Sequence, residues 1–138
     1  MKETFRFLAV DPGLSKCGLA VMASDGAVLV KSVAPAGNVA EAAAELAAAH
    51  GGIDLIVVGG GTGSKMVADK LLASGGLPRR VEFVQEKNTT LDARKLYENE
   101  HPLPWPLGMI PRWLFANPRA LDAYAAVAIG LRYIAAHK

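Results

Sequence analysis

Apolar residues fall in short strand-like runs early in the chain and at helical spacing further on, and this change of period divides the sequence into elements. Phe5 to Val10, interrupted only by Arg6, stops at Asp11-Pro12-Gly13, and Cys17 to Met22 stops at the turn Ser24-Asp25-Gly26. Ala27 to Val33 follows as a third strand. Connections this short allow only an antiparallel meander, because a parallel crossover takes a dozen residues or more. After Pro35-Ala36-Gly37, Asn38 is placed to cap an alanine-rich helix from Val39 to His50, which Gly51-Gly52 ends.

The pattern then alternates. Ile53 to Val58 reads as a buried strand, Lys65 to Ser74 as a helix closed by Gly75-Gly76, Val81 to Val84 as a strand and Thr89 to Asn99 as a helix. Strands separated by helices pair in parallel. The stretch His101 to Pro118 holds five of the eight prolines and both tryptophans, which predicts a long surface loop before a last helix from Arg119 to about Ala136. The order predicts an α/β fold with a five-stranded mixed sheet, three antiparallel strands then two parallel, and helices on both faces.

Composition narrows the class. The 138 residues, 51% hydrophobic and 20% charged, suit one domain over 1–138 with a single core and exclude disorder as the main state. No apolar run approaches the roughly 18 residues of a membrane span. The mixed charges of Met1 to Arg6 are unlike a signal peptide, so a cytoplasmic protein is expected. The single cysteine, Cys17, excludes an intrachain disulfide and every multi-cysteine metal site, and reads as a small buried hydrophobe. The net charge of +2 names no partner, although six basic and seven acidic residues precede Pro78 while nine and six follow it.

Three carboxylates stand where chemistry could be done. Asp11 ends the first strand at a Pro-Gly turn, and Glu86 takes the corresponding place after Val81 to Val84. With those strands parallel and separated by one other, both acids leave the sheet at the same end, where ligands bind in open α/β sheets. Asp122 lies near the start of the last helix, followed by Ala123, Ala125 and Ala126, small enough to bring that helix close to the sheet. Singly, each acid has an ordinary reading: a turn residue, a solvated acid, a first-turn acid favoured by the helix dipole. Together they would repel one another unless a hard cation such as Mg²⁺ or Mn²⁺ joined them. Two such ions about 4 Å apart would activate a water and stabilise the leaving oxygen of a phosphodiester.

Four ordered segments carry a resemblance. Asp11-Pro12-Gly13-Leu14-Ser15-Lys16-Cys17-Gly18-Leu19-Ala20-Val21, Leu55-Ile56-Val57-Val58-Gly59, Gln85-Glu86-Lys87-Asn88-Thr89-Thr90 with Ala93-Arg94, and Leu121-Asp122-Ala123-Tyr124-Ala125-Ala126 resemble the landmarks of the YqgF/RuvX family. That family belongs to the RNase H-like superfamily and is related to RuvC, the Holliday junction resolvase. The resemblance runs from about Phe7 to Tyr133 and implies an RNase H-like, metal-dependent phosphodiesterase with Asp11, Glu86 and Asp122 as catalytic and metal-binding triad. It implies action on ribosomal RNA precursors at the 5′ end of the small-subunit RNA, or on four-way DNA junctions. The sequence departs from the family's usual Asp-Glu-Arg at Gln85-Glu86-Lys87, and Gly59-Gly60-Gly61 replaces its Gly-Leu-Pro.

Around the acids lie candidate contacts to a nucleic-acid backbone. Gly59 to Lys65 follows a buried strand and opens a helix, where Ser64 and Lys65 could hold a phosphate; it matches neither the P-loop nor GxGxxG. Thr90 reads first as part of a helix cap and Arg94 as a phosphate contact, with Lys16 and Lys87 in supporting places. Trp105 and Trp113 beside Arg112 and Arg119 would suit stacking on unpaired bases, or anchoring of the loop. His50 and His137 end helices, where an imidazole suits the dipole. The partners expected are thus single-stranded or structured RNA, or branched DNA, bound by a monomer or a homodimer and at no membrane. A junction resolvase needs the two-fold dimer. Two rivals are an actin-like ATPase, which needs a second such domain, and a scaffold that binds nucleic acid without cutting it.

Overall fold

The computed structural model describes residues 4–61, 63–84 and 118–137, with residues 118–122 described by their helical backbone. Strands β1 (Arg6–Asp11), β2 (Lys16–Ala23) and β3 (Val28–Pro35) form the meander, and a single 3₁₀ turn, Ala36–Asn38, leads into helix α1 (Val39–Ala49). Strand β4 (Leu55–Gly59), helix α2 (Ser64–Leu72), strand β5 (Val81–Val84) and helix α3 (Pro118–Ala136) follow. The five strands lie in one sheet in the order β3-β2-β1-β4-β5. β1 runs antiparallel to β2 and parallel to β4, and β5 runs parallel to β4, so the mixed sheet is as the sequence pattern predicts.

β1 is the middle strand, and its alternation fills two cores. Leu8 and Val10, with Leu19, Val21, Ile56 and Val58 from its neighbours, face α1 and α2 through Val39, Ala43, Val67 and Leu71. Phe7 and Ala9, with Ala20, Met22, Leu55 and Val57, face α3 through Ala126, Ile129 and Tyr133. Cys17 is fully buried in the first of these cores, as its reading as a small hydrophobe requires. Helices therefore cover both faces of the sheet.

Small side chains let α3 sit close. Ala123, Ala125, Ala126 and Ala128 are all buried. At Gly130 a Cβ would overlap the Met22 sulfur and come within 3.1 Å of Phe7 Cε2, so that turn of the helix rests directly on the sheet.

Several boundaries differ from expectation. β3 runs on to Pro35, which an edge strand tolerates because the missing N–H faces no neighbour. β4 begins at Leu55 rather than Ile53, since Asp54 N–H donates to the Arg6 carbonyl at 2.8 Å and its carboxylate accepts from Arg6 N–H at 3.2 Å, closing a corner before the strand. Asn38 occupies the cap position of α1 but makes no side-chain cap hydrogen bond, because the 3₁₀ turn already leads into the helix. Pro118, placed with the loop by its composition, is the first residue of α3, where a missing N–H costs nothing. The expected helix Thr89 to Asn99 and the rest of the proline-rich loop lie outside the described residues.

His50 and His137 close their helices as expected. Each donates its Nδ1–H to the carbonyl four residues back, Leu46 and Tyr133, at 2.9 Å. Beside His137, Tyr133 packs its ring on Phe7 and donates its hydroxyl to Glu82 at 3.0 Å. Burial first, then that hydrogen bond and the Glu82 charge, hold the Tyr133 phenol above its ordinary value of about 10. Because the raised group keeps its proton in the folded state after the unfolded chain has lost its own, the stability it supplies is present below that ordinary value and is lost as pH climbs towards the folded one. Urea unfolding between about pH 9 and pH 11 should therefore show wild type losing stability more steeply than Tyr133→Phe; parallel profiles would contradict this.

Candidate nucleic-acid processing site

The candidate site lies at the ends of three parallel strands. Val10 pairs with Val58, and Val58 with Phe83, so Asp11, Gly59 and Val84 stand in one row across the sheet. Gly60 N–H extends the row by donating to the Val84 carbonyl at 2.6 Å. Asp11 is half-buried at the end of β1, beside the buried Pro12. At Gly59 a Cβ would lie 2.5 Å from Ile129 Cδ1 and 3.7 Å from Pro12 Cδ, so helix, strand and the loop after Asp11 converge there with no room for a side chain.

The direction of α3 follows from its contacts. Ile129 meets Gly59 at the finishing end of β4, whereas Tyr133 meets Phe7 near the start of β1. The helix thus runs opposite to both strands, and residues before Ile129 lead towards the end that carries Asp11. Asp122 lies seven residues, two turns, before Ile129, about 10 Å along the axis. It is the fifth residue of α3, just past the first turn where its helix-dipole reading would put it.

Lys16 opens β2, half-buried, across the short hairpin from Asp11. Ser64 and the exposed Lys65 begin α2 after Gly63, whose φ of 84° turns the chain into the helix. All three open the element that follows β1 or β4, at the same end as Asp11. Arg119 is in the first turn of α3 by its backbone. Glu86, Lys87, Thr90, Arg94 and Arg112 lie outside the described residues. Among the described residues no three acidic, imidazole or thiol side chains meet in a metal-binding cluster. Carboxylate oxygen is nevertheless the donor that Mg²⁺ or Mn²⁺ takes, so Asp11 suits such an ion in its chemistry.

Two residues here escaped the sequence pattern. Lys31, in the middle of edge strand β3, sets its ammonium 4.8 Å from the ring centroid of Tyr124, two residues beyond Asp122. Leu14, 83% exposed, stands at the tip of the hairpin that follows Asp11. The first could have been found from the polar interruption it makes in an apolar strand; the second had no signal beyond its place in a turn.

No family model matches the chain, and no curated protein is significantly similar to it. Among solved structures, RuvC from Thermus thermophilus superposes over 93% of this chain and 94% of its own, with a TM-score of 0.50 at 14% identity. The ethanolamine utilization protein EutJ from Carboxydothermus hydrogenoformans reaches 0.44 over 67% of this chain and 40% of its own, at 13% identity. A ROK family transcriptional regulator, a homologue of the E. coli MLC protein, reaches 0.45 over 67% and 30%, at 15%. The chain therefore has a RuvC-like RNase H fold.

The hairpin after Asp11 is tightly built. A Cβ on Gly13 would collide with the backbone carbonyl of Lys16, an atom that cannot swing aside. Gly13→Ala should cost about 1–3 kcal/mol in urea unfolding, the range for forced overpacking, whereas Gly37→Ala, with open space around it, should cost much less. Equal midpoints for the two variants would show that the hairpin yields.

Proposed function

We propose that this protein is a divalent-metal-dependent nuclease that hydrolyses phosphodiester bonds of nucleic acid, with Asp11, Glu86 and Asp122 as its catalytic and metal-binding carboxylates. The observation that supports this best is the placement of Asp11 at the finishing end of the central strand of a RuvC-like RNase H fold, with α3 leading its residue Asp122 towards that same end. Glu86 enters on its sequence position two residues beyond Val84, which stands in the same row. Three carboxylates are a hard-oxygen donor set suited to Mg²⁺ or Mn²⁺, which when bound would supply the charge that makes water nucleophilic and eases departure of the leaving oxygen. Without a cation the three acids would repel a phosphate as well as one another.

The chain's other residues serve binding and position. Lys16, at the start of β2, and Ser64 and Lys65, at the start of α2, stand at the same end as Asp11 and are assigned to the nucleic-acid backbone, as are Lys87, Thr90, Arg94, Arg112 and Arg119 from their sequence positions. We assign processing of the 5′ end of small-subunit ribosomal RNA precursors as the function, following the YqgF/RuvX resemblance. The second reading is junction resolution, and the near full-length superposition on RuvC favours it. That activity needs a two-fold dimer, so a monomer in solution supports the RNA reading. Among the described residues no helix is long and apolar enough to cross a membrane.

Cleavage of labelled single-stranded RNA, single-stranded DNA and a four-way junction in Mg²⁺, Mn²⁺ or chelator tests the proposal. Wild type should cut at least one substrate only with metal, and Asp122→Asn should be at least about 100-fold slower, the scale of losing one preorganised electrostatic contact to the reacting phosphate. If wild type and variant bind nucleic acid alike and neither cuts, the protein is a scaffold and the triad is not catalytic.

A further inference from the structure

The hairpin that follows Asp11 carries an exposed leucine at its tip. Leu14 is 83% exposed, and among the described residues no other large apolar side chain is as bare; Met66 follows at 57%. A single exposed leucine on a protein surface is ordinary. This one differs in how it is held and in what stands beside it.

The chain on either side of Leu14 is fixed. Pro12 is buried beside Gly59, and the space a Cβ on Gly13 would need is taken by the Lys16 carbonyl. Ala36 N–H donates to the Ser15 carbonyl at 2.9 Å, which ties the tip to the turn after β3, and Lys16 pairs with Pro35 at the end of that strand. Leu14 is therefore presented to solvent on a rigid mount, and a contact made through it orders little that is not already ordered. Because Leu14 is three residues on from Asp11, the two Cα atoms lie within about 10 Å of each other. A strand with a rise of about 3.4 Å per nucleotide covers that distance in about three nucleotides.

The surroundings select the partner. A stable protein interface draws a buried apolar core from about 20–30 residues a side, far more than one leucine at a hairpin tip supplies. The side chains that open the neighbouring elements at this end are Ser64, the exposed Lys65 and the half-buried Lys16, which suit a phosphate backbone rather than an apolar face. A lone apolar side chain among such groups is what proteins insert between the bases of a strand. We propose that Leu14 is a wedge. Resting on the nuclease reading of Asp11, Glu86 and Asp122, it packs against one base within about three nucleotides of the cut, in place of that base's stacked neighbour. Unstacking costs least where a base is already unpaired, so the wedge favours single strands and branch points over continuous duplex.

The test uses 2-aminopurine, an adenine analogue whose emission rises when it leaves the base stack, placed at one position after another through a single strand and through the branch point of a four-way junction. Each probe is bound to the full chain carrying Asp122→Asn, so the readout does not depend on cutting. Emission should rise at one position. Adding Leu14→Ser should abolish the rise and weaken binding about tenfold, the scale of withdrawing one leucine from an apolar contact, and Leu14→Met should restore both. Binding of a continuous duplex should be the same with and without Leu14→Ser. The side chain is exposed, so neither substitution reaches the core. Wild-type cleavage of the same strands locates the cut, and the brightened position should lie within about three nucleotides of it. If the rise depends on Leu14 while wild type cuts nothing, the nuclease reading fails and Leu14 stands as the wedge of a binding protein. The wedge is overturned by no rise at any position of a bound strand, a rise that Leu14→Ser leaves intact, a rise far from the cut, or an equal loss of affinity for duplex. It is overturned as well if sedimentation shows Leu14→Ser turning a dimer into a monomer, and a wild type that binds no nucleic acid overturns both readings.

Discussion

The constraint on which the molecule depends is that β1 is buried on both faces and hydrogen-bonded along both edges. A strand so placed has no freedom of register. Sliding it by one residue would exchange Phe7 and Ala9 with Leu8 and Val10, sending the aromatic ring into the core built for α1 and α2 and leaving a space against α3. It would also break two ladders whose buried amides have no water to turn to. Asp11 is the residue at which this strand leaves its cover. The position of the candidate acid is thus set by the packing of Phe7 to Val10, residues that take no part in chemistry.

The second requirement is a short distance between sheet and helix. α3 achieves it with alanines and with Gly130, whose missing side chain admits Met22 and Phe7. At the other level Gly59 does the same for Ile129. Two glycines, one on the helix and one on the strand, therefore fix the helix at two heights and determine its line. That line carries the first turns of α3, Asp122 included, towards the strand ends. Dispersion contacts are gained only at such close range, so the alanines are better read as spacers than as a sign of low information.

The strands and their pairing could be read from the sequence because each is short, apolar and bounded by strong turn residues, and because the connection lengths decide between parallel and antiparallel. Boundaries were legible only to within two residues. The corner at Asp54 and the extension of β3 to Pro35 arise from tertiary hydrogen bonds and edge geometry that no local pattern carries. Asp11 was legible as a strand-end acid, and its row with Gly59 and Val84 followed once the order of strands was known. Lys31 left a trace as a polar interruption in an apolar strand, but its partner Tyr124 did not, since the contact joins residues 93 positions apart.

β1 and α3, like the strands beside β1, reach both ends of the sheet, and an influence of one end on the other that travelled along these two would have to cross their contact. Communication of that kind requires an element with two arrangements of similar free energy. The contact here offers one. Phe7 and Ile129 are fully buried, the Phe7 and Tyr133 rings meet at 5.5 Å, and the glycines leave no space into which the helix could shift without opening a cavity. A cavity the size of one such side chain would cost several kcal/mol, a large part of the stability of a domain this size. The rigidity that places Asp11 and α3 at one end therefore also leaves the β1–α3 contact without a second arrangement through which the far end could act on it.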